Sequence, residues 1–145
     1  METQAGPKEI SPIIKIWDVP PTMDARAPDP CLLRSDADLW LGYRIARDPD
    51  HFAVLRFEGM QHYALAEPDE GHLYEHAFFP YGLESFRFHE VLPPLLLADQ
   101  SEAGLQRWIV SFREETLDVV ARGVKLSARA IAAQDSASAL ASIRA

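Results

Sequence analysis

Two runs of β-branched and aromatic residues constrain the fold more than anything else in the chain. Trp108-Ile109-Val110-Ser111-Phe112 and Thr116-Leu117-Asp118-Val119-Val120-Ala121 are separated only by Arg113-Glu114-Glu115. Such side chains lose rotamer freedom in a helix and pack well on a pleated surface. A three-residue polar connection folds one strand back on the other. A lone hairpin is marginal in water, so the chain must supply further strands to cover it.

Those strands can be read upstream. In Leu39-Trp40-Leu41-Gly42-Tyr43-Arg44-Ile45 the residues Leu39, Leu41, Tyr43 and Ile45 alternate onto one face. Arg47-Asp48-Pro49-Asp50 reads as a turn, and Phe52 to Glu58 as the return strand of an antiparallel hairpin. Gly59 breaks or bulges the strand before Gln61 to Ala66 continue it. Glu67-Pro68-Asp69-Glu70-Gly71 is a turn by composition. His72 to Leu83 is irregular, Ser85 to Leu92 resumes strand character with Phe86 and Phe88 on one face, and Leu95 to Leu105 suggests a short helix.

The ends differ from this middle. Residues 1–37 hold six of the 11 prolines, and proline resists both helix interiors and central strands. They read as an extended arm, with one apolar run, Ile13 to Val19, as a candidate edge strand. Ser127 to Ala145 is alanine-rich, without Gly or Pro, and reads as a terminal helix or tail. The expected organisation is an arm over 1–37, an antiparallel β core over 38–126 and a C-terminal helix over 127–145. The expected fold is a mainly β single domain, its roughly six strands forming a strongly curled or barrel-like sheet. A two-layer α+β arrangement is the alternative.

Composition limits the function classes. A chain of 145 residues, 48% hydrophobic and 25% charged, can bury one core without metal or disulfide. The lone Cys31 has no internal disulfide partner, which fits a reducing compartment. No apolar run approaches the ~18 residues of a membrane span, and the first residues lack a signal-peptide layout. The expectation is a cytoplasmic protein with no membrane partner. Net charge is −8, and Lys and Arg do not cluster, which argues against nucleic acid as a partner.

The charge is concentrated. Glu58 to Glu102 carry nine carboxylates and four of the five histidines against one basic residue, Arg87. Within this segment His72-Leu73-Tyr74-Glu75-His76 matches the inverted zinc-protease spacing H-x-x-E-H. On a helix the two histidines would share a face and could grip one ion. Here the segment follows a Pro-Asp-Glu-Gly turn and precedes Phe-Phe-Pro-Tyr-Gly, and in extended chain the two rings would stand roughly 13 Å apart. His72 and His76, with Asp69 or Glu70, remain candidate ligands of a divalent metal.

Phe86-Arg87-Phe88-His89-Glu90 raises a second question. If both phenylalanines face the core, Glu90 shares their side. An inward carboxylate needs a partner, and Arg56, on one strand face with Phe52 and Val54, is the candidate. The block Tyr74 to Tyr81 places four aromatics, Tyr74, Phe78, Phe79 and Tyr81, in an irregular stretch, as a ligand pocket, a recognition surface or a lid on the core. Cys31 has no activating motif, and neither a G-x-S-x-G elbow nor a phosphate-cradling glycine loop occurs.

Pro68-Asp69-Glu70, His76, Gly82-Leu83, Glu90-Val91 and the hairpin Trp108 to Leu117 together resemble a family of small uncharacterised bacterial proteins. The family pattern has a Pro-Asn-Asp-Glu-like turn, a His-Pro, a Gly-Leu, a Glu-Val and a late Phe-His-Asp-x-Thr-Phe-Glu hairpin. This chain departs from it at Ala77, at Arg113-Glu114 and at Asp118. The resemblance covers residues 38–122 and carries no established activity. It implies that Asp69, Glu70, His76 and Glu90 belong to one design.

The leading expectation is a non-catalytic binding module presenting an acidic, aromatic surface or pocket around residues 67–90 to a protein partner or small ligand. Asp69, Glu70, Tyr74, His76, Tyr81, Glu90 and Arg56 are its candidate binding residues. The alternative is a small metal-binding protein or enzyme using His72, His76, Glu90 and nearby carboxylates. A third reading is a homodimer joined through the C-terminal helix.

Overall fold

The computed structural model describes residues 13–66, 79–92, 104–112 and 115–144. Among these residues nine strands and one α-helix follow in chain order: β1 (Ile13–Ile16), β2 (Cys31–Ser35), β3 (Asp38–Arg44), β4 (His51–Glu58), β5 (His62–Ala66), β6 (Phe88–Leu92), β7 (Gln106–Ser111), β8 (Thr116–Ala121), β9 (Gly123–Ala132) and α1 (Ser136–Arg144). Hydrogen bonding sorts the strands into a five-stranded sheet, β1-β6-β7-β8-β5, and a four-stranded sheet, β2-β3-β4-β9. All the pairings are antiparallel. The fold is thus mainly β, as expected; among the described residues the strands form two antiparallel sheets, and no closed or strongly curled barrel is found. No helix among the described residues is long and apolar enough to cross a membrane.

The core lies between the two sheets because their alternating strands turn one apolar face toward each other. Leu39, Leu41 and Tyr43 of β3 and Leu55 and Phe57 of β4 meet Phe88, Trp108, Val110, Leu117 and Val119. Tyr43 contacts Phe88 at 5.1 Å between ring centroids and Phe57 contacts Trp108 at 5.6 Å. Each large apolar side chain buried here contributes roughly 1.5–3 kcal/mol. Trp17, from the proline-rich arm, packs against Phe88 and Trp108 at 6.3 and 6.5 Å.

The described part of the arm, residues 13–37, is therefore tied into the sheets. β1 forms the edge of the five-stranded sheet against β6, and β2, which also lies within residues 1–37, pairs with β3. The β2–β3 turn needs only Asp36 and Ala37, with Asp36 at φ 54, a left-handed conformation that Asp tolerates. Between β1 and β2 the arm is tied down through backbone bonds Asp24 N–H to Arg44 O and Arg44 N–H to Pro28 O. The Tyr43 hydroxyl donates to Pro21 O at 2.6 Å. Burial pushes the Tyr43 phenol well above its ordinary range, which keeps this donor protonated.

One corner joins the sheets. β4 runs into β5 through Gly59, Met60 and Gln61, and β8 runs into β9 through Arg122. Arg122 N–H bonds to Glu58 O and Gln61 N–H to Val120 O, each at 2.9 Å. Thus the pair β4·β9 of one sheet continues as β5·β8 of the other. Gly59 takes φ +60 at the bend, where a Cβ would stand 2.8 Å from Arg122 Cδ.

The terminal helix expected over 127–145 is shorter than alanine content suggests. Residues Ser127 to Ala132 belong to β9, and the helix starts at Ser136. Two register shifts along β9 explain the strand. Val124 and Leu126 pack on the inter-sheet core, whereas Ala128, past the first shift, and Ile131, past the second, pack on the opposite face with Phe52 and Val54. Bulges of this kind redirect side chains without ending the pairing, and pairing on β4 overrides alanine's modest helix preference. α1 then covers that outer face through Ala139 and Leu140. Asp135 caps it by accepting the Ser138 N–H at 2.8 Å. The short helix expected over Leu95 to Leu105 lies mostly outside the described residues.

Candidate functional site

The described part of the acidic segment, residues 79–92, is built around one buried imidazole. Phe79–Tyr81 forms a single 3-10 turn, closed by Gly82 N–H to Phe79 O at 3.1 Å. Gly82, at φ +117, occupies a conformation that side chains resist. The chain then drops Leu83 onto the outer face of the five-stranded sheet, against Val91, Ile109 and Ile14. His89, fully buried on that face, accepts the Glu84 N–H at Nε2 (3.0 Å). Its Nδ1 lies 2.9 Å from Ile109 O. A carbonyl can only accept, so Nδ1 carries the proton and the imidazole is neutral.

The aromatic residues divide sharply. Phe88 belongs to the inter-sheet core, and Phe86 packs against it although it lies outside β6 and takes φ 58. A bulky residue in that region is a genuine outlier, held here by the packing of its ring. Phe79 and Tyr81 instead stand in solvent, 39% and 47% exposed. Glu84 and Arg87 beside them are exposed and 3.7 Å apart.

The two charged residues expected to pair do not meet. Arg56 shares a strand face with Phe52 and Val54, as the alternation implies, but that face is the helix side of the four-stranded sheet. Its Nε donates to Asp38 at 2.6 Å, and its guanidinium lies 4.9 Å from the Trp40 ring centre. Asp38 also accepts the Gly59 N–H at 3.1 Å, so Arg56 supports the corner between the sheets. Glu90 lies in the other sheet, half-buried, between Lys15 of β1 and Trp108 of β7 in register. It lines a recess of about 260 Å³ with Val91, Leu92, Gln106 and Arg107. Arg107 is itself held by Asp118, Nε to carboxylate at 2.8 Å.

Tyr81 is thus on the surface, Glu90 in a recess and Arg56 at a structural corner. Asp69, Glu70, His72, Tyr74 and His76 lie outside the described residues. No group of three or more His, Cys, Asp or Glu that could hold a metal occurs among the described residues. The thiol of Cys31 is pushed above its ordinary range by burial and then by the Asp29 charge, with a hydrogen bond to Ser136 opposing. Such a thiol is a poor nucleophile at neutral pH.

No family model, curated protein or solved structure matches the chain. The family resemblance of residues 38–122 therefore stands on its motifs alone. Its implication that Asp69, Glu70, His76 and Glu90 form one design falls on described residues only at Glu90.

Alternation along Phe86-Arg87-Phe88-His89-Glu90 draws attention to Glu90, yet the buried residue on the outer face is His89. A signal exists: His89 alternates with Phe88, so a core-facing phenylalanine puts the imidazole on the opposite face. Nothing in sequence indicates that the opposite face is covered too.

Proposed function

We propose that this protein is a non-catalytic binding module of the cytoplasm, which engages a partner protein through the aromatic turn of its acidic segment. The observation that carries this reading is the exposure of Phe79 and Tyr81, 39% and 47%, in a chain whose Tyr43, Phe52, Phe57, Phe88 and Phe112 are buried. Aromatic side chains held outside a well-filled core are the usual anchors of interfaces, since each buries a large area with little rotamer entropy lost. Exposed Glu84 and the net charge of −8 favour a partner whose rim is basic. The lone cysteine supports a reducing compartment.

His89 supports this reading over an enzyme at the same segment. Both its ring nitrogens are engaged with backbone groups, so it holds the turn in place and has no free nitrogen for proton transfer. The test is capture with wild-type protein beside a Phe79→Ser/Tyr81→Ser variant and a Leu33→Ser surface control. A partner retained by the control and lost in the double variant, with unchanged melting, is the expected result. Equal retention by all three would sink the proposal.

A further inference from the structure

We propose that His89 is an acid-sensitive latch, whose protonation releases residues 83–85 from the outer face of the five-stranded sheet, while Phe86 in the core and the Ser111 N–H bond to Arg87 O hold the residues that follow. The inference rests on the direction of two hydrogen bonds. Nδ1–H donates to Ile109 O, and Nε2 accepts the Glu84 N–H. An imidazolium is a donor at both nitrogens. Adding a proton at Nε2 would set two N–H groups against each other at 3.0 Å, inside a site that water does not reach. The Glu84 bond must then break for the ring to be charged.

Among the described residues, the charged side chains that β7 and β8 turn to this face are Arg107 and Asp118, which pair with each other. On β1, the register partner of His89 is Ile16, and Ile14 packs beside it on the same face. On β7, Ile109 is apolar, and Arg107 is engaged with Asp118 of β8. In the loop, Glu84 and Arg87 are both exposed and near each other. On its own strand Glu90 points to the other face, toward which Lys15 is also directed. Opening the loop hydrates the ring and exposes Leu83, Val91 and Ile109, the small cluster that otherwise holds the segment down. The turn Phe79–Tyr81 is only two residues upstream of Leu83, so its anchoring depends on the same latch.

Linkage sets the sign. The closed loop holds His89 neutral, and the opened loop takes up a proton as an ordinary imidazole does, near about pH 6.5. Closing is therefore unaffected at neutral pH and weakens as pH falls, by up to about tenfold per pH unit while one extra proton is bound on opening.

The test is amide exchange at Glu84, read as a protection factor across about pH 7.5 to 5 in wild type and His89→Gln. A glutamine keeps an acceptor and a donor but does not titrate. Protection that falls with pH in wild type, stays flat in His89→Gln and leaves the Val119 amide unchanged is the expected result. A flat wild-type profile overturns the latch. So does the same slope in both proteins, or parallel loss at Val119, which marks global unfolding. If His89→Gln does not fold, the imidazole nitrogen signals of wild type decide. Ring protonation and loss of Glu84 protection must follow one titration curve, and two separate curves reject the idea.

Discussion

Leu140 sits directly over Gly42: a Cβ on this glycine would lie 3.1 Å from Leu140 Cγ and 3.1 Å from the Ser136 carbonyl oxygen. The close approach seats α1 on the outer face of β3, beside Phe52 and Val54. Gly42→Ala should lower stability by roughly 1–2 kcal/mol, the usual cost of overfilling a packed contact. Thermal melting followed by circular dichroism reads this directly. Unchanged melting would mean that the helix does not rest there.

The corner between the sheets makes a second prediction. Gly59→Ala forces a left-handed conformation on a residue with a side chain and drives its Cβ toward Arg122 Cδ, 2.8 Å away. The conformational penalty alone is about 1–2 kcal/mol. Urea unfolding should show that loss, and Arg122→Ala in the same background should recover the part due to contact but not the part due to φ. Complete recovery would show that the backbone angle carries no strain.

Cys31 should react slowly. Burial and the Asp29 charge raise its thiol, so the thiolate fraction at neutral pH is below that of a free cysteine. Alkylation by iodoacetamide should be several-fold slower than for an unstructured cysteine peptide, and Asp29→Asn should quicken it. A rate above the peptide's would mean an activated thiol and would reopen nucleophilic catalysis.

Acid should act on α1 through its cap. The Ser138 hydroxyl and then the Ser138 N–H, both bonded to Asp135, hold this carboxyl below its ordinary range. A depressed folded value means the cap's contribution is complete above the unfolded value of about 3.9 and disappears as pH falls through the lower folded one. Exchange at the Ser138 amide should report fraying of the first turn only in that acid range, well below the pH at which His89 acts. Asp135→Asn, which still caps but does not titrate, should remove the dependence. Persistence of the acid effect in Asp135→Asn would assign it to another group.

The strands at Leu39–Ile45, Phe52–Glu58 and the hairpin around residues 108–121 were legible because each carries its own evidence. Alternation decides which side chains share a face, and turn chemistry decides where the chain reverses. The same local rule correctly grouped Arg56 with Phe52 and Val54. It could not say which of two faces that was, because only the packing of α1 over Gly42 gives the four-stranded sheet a second covered side.

The remaining features depend on residues far apart in sequence. Ser127 to Ala132 became a strand through pairing with β4, about 75 residues upstream, at a cost in local propensity that the pairing outweighs. Asp38 took Arg56 as its partner across 18 residues, and the Ile109 carbonyl accepts the hydrogen bond of His89 Nδ1–H across 20. The amino-acid sequence by itself determined that the chain makes antiparallel strands, where several of them turn, and that its carboxylates and imidazoles crowd into one segment. The tertiary structure decided that the strands divide into two sheets joined at Gly59 and Arg122, and that His89 is buried while Tyr81 is not. Burial is a property of what lies opposite, and a residue's sequence neighbours do not specify that.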